Sequence, residues 1–139
     1  MTAFQLDDRL AADTLAVGES DLCLYRLMDD ARWPWVILVP KRAGVTEIHQ
    51  LDETDQRMLL QESGVVARAL AAQFDADAMN VAKLGNVVAQ LHVHHVVRRR
   101  GDPGWPGPVW GYGDRLPYGA RERDAMCARL KGMFPDLLI

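Results

Sequence analysis

The chain has 139 residues, with 16 Lys and Arg against 19 Asp and Glu, for a net charge of -3. That length suits one domain spanning 1–139, and 49% hydrophobic with 25% charged residues is the composition of a packed globule and not of a disordered chain. The acidic balance excludes a general nucleic-acid binder, which needs a basic footprint to displace counterions, but leaves room for a small anionic ligand at a local positive site. Cys23 and Cys127 lie far apart and form no CxxC pair, so they read as free thiols of a reducing compartment. The N-terminal residues lack the basic start and apolar stretch of a secretory leader. No apolar run reaches the length of a membrane span. A cytoplasmic protein is expected.

Residues 22–28 form a short apolar run between Asp21 and the pair Asp29 and Asp30, which predicts a strand with turn formers at both ends. Residues 35–39, Trp-Val-Ile-Leu-Val, predict a second strand, closed by Pro40, which has no N–H for a central ladder. The short connection makes the two antiparallel neighbours. Asp52 then suits a helix N-cap, with Glu53 and Asp55 in the first turn, where carboxylates favour the helix dipole. Leu59, Ser63, Val66, Leu70 and Phe74 recur at helical spacing, and Met58, Val65 and Ala69 widen the stripe. This predicts a helix of about six turns packed on a sheet. Residues 79–84 predict a strand, Gly85 and Asn86 a turn, and residues 90–99 a long strand. Glycine and proline crowd residues 101–119, yet Trp105, Trp110, Tyr112 and Tyr118 sit among them. A solvated linker does not carry so many aromatics, so this loop is expected to pack on the body. Residues 120–134 predict a last helix, with Ala125, Met126, Leu130 and Met133 on one side. Paired strands around a long helix indicate an α+β fold: an antiparallel sheet, one long central helix and a C-terminal helix.

Three of the four histidines fall in the run Gln90-Leu91-His92-Val93-His94-His95-Val96-Val97. Side chains alternate along a strand. Gln90, His92, His94, Val96 and Arg98 therefore share one face, and Leu91, Val93, His95, Val97 and Arg99 the other. The second face is mainly apolar and belongs against helices, where His95 reads as a hydrogen-bonded core histidine. The first face opens with three polar groups in a row, an odd choice for mere solubility. Two imidazoles two residues apart can chelate a metal. Here, however, no carboxylate follows the pair, the next charged residues are arginines, and His49 or Cys23 as third ligands have no support. The other reading is a histidine nucleophile acting at phosphorus, for which Arg98 and the glycine turn before Gln90 provide an anion-friendly setting.

The segment from Gln90 to Arg98 resembles the motif of the histidine triad (HIT) superfamily of nucleotide-binding hydrolases and transferases, His-φ-His-φ-His-φ-φ, often followed by Pro-Arg. Placing Arg98 on the motif's arginine puts Gln90 in the first histidine's position, His92 in the second and His94 in the third. A register starting at His92 would make His94 the nucleophile but loses the arginine match. The resemblance covers about residues 22–110 and leaves 111–139 as a C-terminal loop and helix. Within it, the strand ending Pro40-Lys41-Arg42 is similar to the family's, Gly85-Asn86 falls where members often have Gly-Gln, and Trp105-Pro106 resembles a tryptophan segment of some members. Gln90, which cannot take a proton, departs from the pattern. So does Val87, where some members carry Ser or Thr, and so does His95, which replaces an aliphatic residue.

The resemblance implies a hydrolase or nucleotidyl transferase that acts at the α-phosphate of a nucleotide, with a purine base expected. His92 would be the nucleophile and would form a nucleotidyl-histidine, with its other ring nitrogen donating to a backbone carbonyl. His94 and Gln90 would hydrogen-bond to phosphate oxygens, helped by amides near Gly85 and Asn86. Arg98 and Trp105 would join the nucleotide site, and Asp29 or Asp30 would accept from the ribose hydroxyls. Leu22 and Val39 would flank the base. No cofactor or metal is required, and a homodimer is expected. Gln90 and Val87 keep open a non-catalytic purine-nucleotide binding module, and a metal-dependent protein using His92 and His94 also stands as an alternative.

Overall fold

The computed structural model describes residues 3–139. Five strands build one antiparallel sheet in the order β1-β2-β3-β5-β4. They are β1 (Thr14–Glu19), β2 (Cys23–Met28), β3 (Trp35–Pro40), β4 (Ala78–Ala82) and β5 (Val93–Arg98), joined by helices α1 (Asp8–Asp13), α2 (Glu53–Phe74) and α3 (Ala120–Met133). This is the expected α+β architecture. The sequence pattern assigned no element before residue 22, so α1 and β1 are additions. Asp7 caps α1 by accepting from the Arg9 amide, and β1 pairs with β2 through a bulge between Ala16 and Gly18.

The Asp52 side chain accepts from the Asp55 amide and starts α2 as predicted. Leu59, Val66 and Leu70 are buried from that helix against the sheet, but Val65 is exposed. Glu62 takes a buried place that a hydrophobic pattern would not assign to a carboxylate. It holds that place because the Ser20 and Tyr25 hydroxyls both donate to it, which satisfies the group where burial alone would be costly.

The sheet is covered on both faces, and that decides where each β5 side chain goes. Val36 and Leu38 of β3, with Val93 and Val97 of β5, join the core under α2 and α3. Trp35, Ile37 and Val39 of β3, with Val96 of β5, face a second cluster with Trp33, Leu10 and Val109. The loop 99–119 packs on the body as its aromatic content predicted: Val109, Trp110 and Tyr112 cover this second face, while Tyr118 packs against the first core. Trp33 meets Tyr112 edge-on with ring centroids 6.2 Å apart, and Trp35 meets Trp110 at 6.0 Å. The loop is tied at its root by Arg98, whose guanidinium donates to both carboxylate oxygens of Asp102. Breaking a pair this buried would leave an uncompensated charge, at about 3–5 kcal/mol.

One predicted element is shorter than expected. The strand over residues 90–99 begins only at Val93. Its ladder with β3 ends at the Leu38–Val93 pair and its ladder with β4 at Ala82–His94. Ahead of that point the backbone is held elsewhere, with the Leu91 amide bonded to the Val45 carbonyl.

Candidate active site

A cavity of about 660 Å³ opens on the second face of the sheet. Its floor is Trp35, His92 and His94. One wall is the loop 84–88 and another is the segment 109–113. Leu10 and Met28 add apolar surface, while Arg9, Asp13, Asp30, Arg32 and Arg115 bring charge to the site. Gly85 takes φ +88, a left-handed backbone that L side chains rarely adopt. The turn therefore requires glycine. Among the described residues, the amides of 85–88 donate to no protein acceptor.

His92 lies just ahead of β5 and His94 within it. Their ring centroids are 5.0 Å apart. His92 Nδ1 lies 2.7 Å from the Gln90 carbonyl oxygen. A carbonyl can only accept, so Nδ1 carries the proton and Nε2 of the neutral ring holds the lone pair. His94 Nδ1 accepts from the indole N–H of Trp35 at 3.0 Å. Burial, and after it the charges of His92 and His95, pushes His94 down to about 3. Among the described residues neither Nε2 has a protein partner, and neither is sealed. The sealed, unpartnered side-chain polar atoms among the described residues are Trp33 Nε1, His95 Nδ1 and Trp110 Nε1. Both free ring nitrogens therefore reach the cavity. Such a site has one ring nitrogen with a free lone pair, a second imidazole beside it and a lining loop whose amides have no protein acceptor, and it can receive an anionic group.

The HIT domain family model matches residues 9–101. The crystal structure of a histidine triad protein from Marinobacter aquaeolei VT8 is similar at 48% identity and TM-score 0.95, over 98% of this chain and 99% of that one. A histidine triad protein from Sinorhizobium meliloti 1021 is 48% identical with TM-score 0.91, over 95% of this chain and 98% of the other. One from Bradyrhizobium japonicum is 41% identical with TM-score 0.92, over the same shares. No curated protein matches.

The chain belongs to the histidine triad family.

Its triad positions are not equivalent in this member. His92 and His94 converge on the cavity, but Gln90 does not line it. The Gln90 carboxamide turns to the N-terminal segment, accepting from the Asp7 amide and donating to the Gln5 carbonyl, each at 2.8 Å. One planar amide offers an acceptor and a donor side by side, so it clamps that strand-like segment through its backbone. The clamp sets α1 against the site, so Arg9, Leu10 and Asp13 line the cavity.

The other expected binding residues divide in the same way. Gly85, Asn86 and Asp30 line the cavity. Burial alone would raise the Asp30 carboxyl, but hydrogen bonds from the Arg32 side chain and amide outweigh it and hold the group below the ordinary carboxylate range. Asp29 is not in the cavity and accepts from the Tyr118 amide. Arg98 is spent on Asp102 and on the Asn80 side chain, which removes it as an anion ligand. Trp105 packs against that guanidinium, 5.7 Å from ring centroid to the charged carbon, and stays outside the cavity. Leu22 and Val39 are buried in the two cores and cannot flank a base. The apolar lining comes instead from Leu10, Met28, Val109 and Trp110.

His95 points to the other face, as alternation predicted, with Nε2 2.7 Å from the Ser63 hydroxyl on α2. A metal reading gains no donor set, since no three His, Cys, Asp or Glu converge among the described residues. No helix among them is long and apolar enough to cross a membrane. Sequence reasoning missed Trp35, Trp110 and the α1 residues as parts of the site. Trp35 becomes visible only through the β3–β5 register, which sets Ile37 opposite His94 and Trp35 on the diagonal beside it.

Proposed function

We propose that this histidine triad protein is a nucleotide hydrolase or nucleotidyl transferase that works through a covalent nucleotidyl-histidine on His92. The observation that carries this reading is the His92 ring, with Nδ1–H held by the Gln90 carbonyl and a lone pair on Nε2 open to the cavity. Nε2 attacks the α-phosphorus, a P–N bond forms, and the bond to the leaving group breaks with its electron pair on that group. The ring becomes a cation, and the carbonyl already bonded at Nδ1 stabilises it. Water then attacks the same phosphorus and loses a proton to solvent, the P–N bond breaks with its electron pair returning to Nε2, and a nucleoside monophosphate leaves neutral His92 behind.

His94 Nε2 and the amides of 85–88 supply donors to the non-bridging oxygens, where charge grows in the transition state. Of the two aspartates Asp30 alone lines the cavity, but the Arg32 side chain already donates to both of its oxygens, so it holds the charge of that wall and the ribose contact is assigned to neither. The base, taken as a purine, lies against Met28, Leu10, Val109 and Trp110. Gln90 contributes its carbonyl and not its carboxamide. The expected second copy of the chain has a candidate surface beside the edge strand β4, where Val81 of that strand, Leu60 of α2 and Ile48 line one hollow and are exposed.

The test is His92→Asn, assayed for monophosphate release from a purine nucleoside phosphoramidate and a dinucleoside polyphosphate. Turnover should fall by on the order of 10⁴-fold or more, with an unchanged circular-dichroism spectrum. Full activity in that variant refutes the covalent route.

A further inference from the structure

We infer that Trp35 is a positioning residue that locks His94 into the tautomer opposite to that of His92, making one imidazole a donor and its neighbour a nucleophile. The inference rests on the reading above for its kinetic consequence, but not for its structural content. Both rings lie in the same cavity, and an unconstrained neutral imidazole exchanges its proton between two nitrogens. What separates them is the chemistry of the group behind each ring. Behind His92 stands a carbonyl, which only accepts. Behind His94 stands an indole N–H, which only donates.

The indole is 3.0 Å from His94 Nδ1, and both residues are buried. Nδ1 must therefore present its lone pair, so the proton of the neutral ring sits on Nε2, the atom that reaches the cavity. A doubly protonated His94 would set two N–H groups against each other at that distance and lose the bond. The ring also cannot swing away. Trp110 packs edge-on against it with centroids 5.3 Å apart and against Trp35 at 6.0 Å. His94 in this arrangement has no lone pair to offer toward the cavity. It can donate to a phosphate oxygen but cannot act as a general base, and an oxygen met by a pre-set N–H costs no reorganisation when charge develops.

The experiment is two-bond proton–nitrogen NMR of the nitrogen-15-labelled protein, which tells protonated from unprotonated ring nitrogens. In the unmodified protein, His92 should show its proton on Nδ1 and His94 on Nε2. In Trp35→Phe, which removes the N–H but keeps an aromatic ring, His94 should become a tautomer mixture while His92 stays unchanged. On a phosphoramidate substrate kcat should fall about 10- to 100-fold, less than loss of the donor outright, with KM nearly unchanged. A lone pair found on His94 Nε2 in the unmodified protein overturns the proposal, and this result needs no variant to fold. An unchanged His94 tautomer and unchanged kcat in Trp35→Phe overturn it equally. If no substrate turns over but the two tautomers are found as stated, the nucleotidyl-transfer reading fails and the lock by Trp35 stands.

Discussion

His94 and His95 are chain neighbours on β5, yet they end on opposite faces of the sheet and in different environments. Burial pushes both below the usual histidine range, His94 to about 3 and His95 to about 4, the latter opposed in part by the backbone of Val36 and Val93. Low proton affinity therefore does not distinguish them. The difference lies in what each ring leaves open. His94 spends Nδ1 on Trp35 and keeps Nε2 in the cavity. His95 spends Nε2 on Ser63, and its Nδ1 is sealed without a partner. A buried histidine is a candidate for chemistry when its unspent atom reaches a ligand-sized space, and a packing residue when that atom does not.

The sharpest way to break this comparison is to truncate each ring. His94→Ala should lower kcat by on the order of 10²–10³-fold, the usual cost of one lost oxyanion donor, and should also lower the urea midpoint, because the buried Trp35 N–H loses its acceptor at a cost of about 1–3 kcal/mol. If His95→Leu costs as much kcat as His94→Ala in steady-state assays, the division by face is wrong.

The two rings should be separable by pH as well. Each is neutral in the folded protein down to a pH below its unfolded value near 6.5. The unfolded chain therefore binds the extra proton first as pH falls. Stability from these groups is full above about pH 6.5 and is lost progressively as pH falls, toward about 4 for His95 and about 3 for His94. Urea unfolding measured at pH 7, 5.5 and 4.5 should show that loss in the unmodified protein. His95→Leu should reduce its slope by about one proton between pH 6.5 and 4. An unaltered slope would mean that His95 is not held neutral by its burial.

The smallest expected effect concerns the residue in the first triad position. Gln90→Ala removes two hydrogen bonds to the backbone of Gln5 and Asp7, each worth about 1 kcal/mol net. Residues 5–13 should then exchange amide hydrogens faster, and KM should rise about tenfold or less as the wall formed by α1 loosens. The chemical step should be nearly untouched. A fall in kcat at constant KM would instead place the carboxamide on the phosphate, beside His92 and His94.

The run from Gln90 to Arg98 was enough to show the period of two, the likeness to the histidine triad motif and the separation of His94 from His95. The Asp52 cap and the apolar spacing from Leu59 to Leu70 were enough for α2. These are local properties: alternation, capping and spacing are written into adjacent residues and need no knowledge of what packs against them. The function of Gln90 was not legible, because a carboxamide serves a phosphate oxygen or a backbone strand equally well. The choice depends on Gln5 and Asp7, more than eighty positions away. The partners of Arg98 and Asp29 were not legible for the same reason, since Asp102 and the Tyr118 amide that hold them come from a loop and a distant segment. Chemical type and face belong to the sequence by itself. Which partner satisfies each polar group, and so whether any atom is left over for a ligand, was decided only when the N-terminal segment and the 99–119 loop closed over the sheet, because a hydrogen bond spent inside the protein cannot also be offered to a substrate.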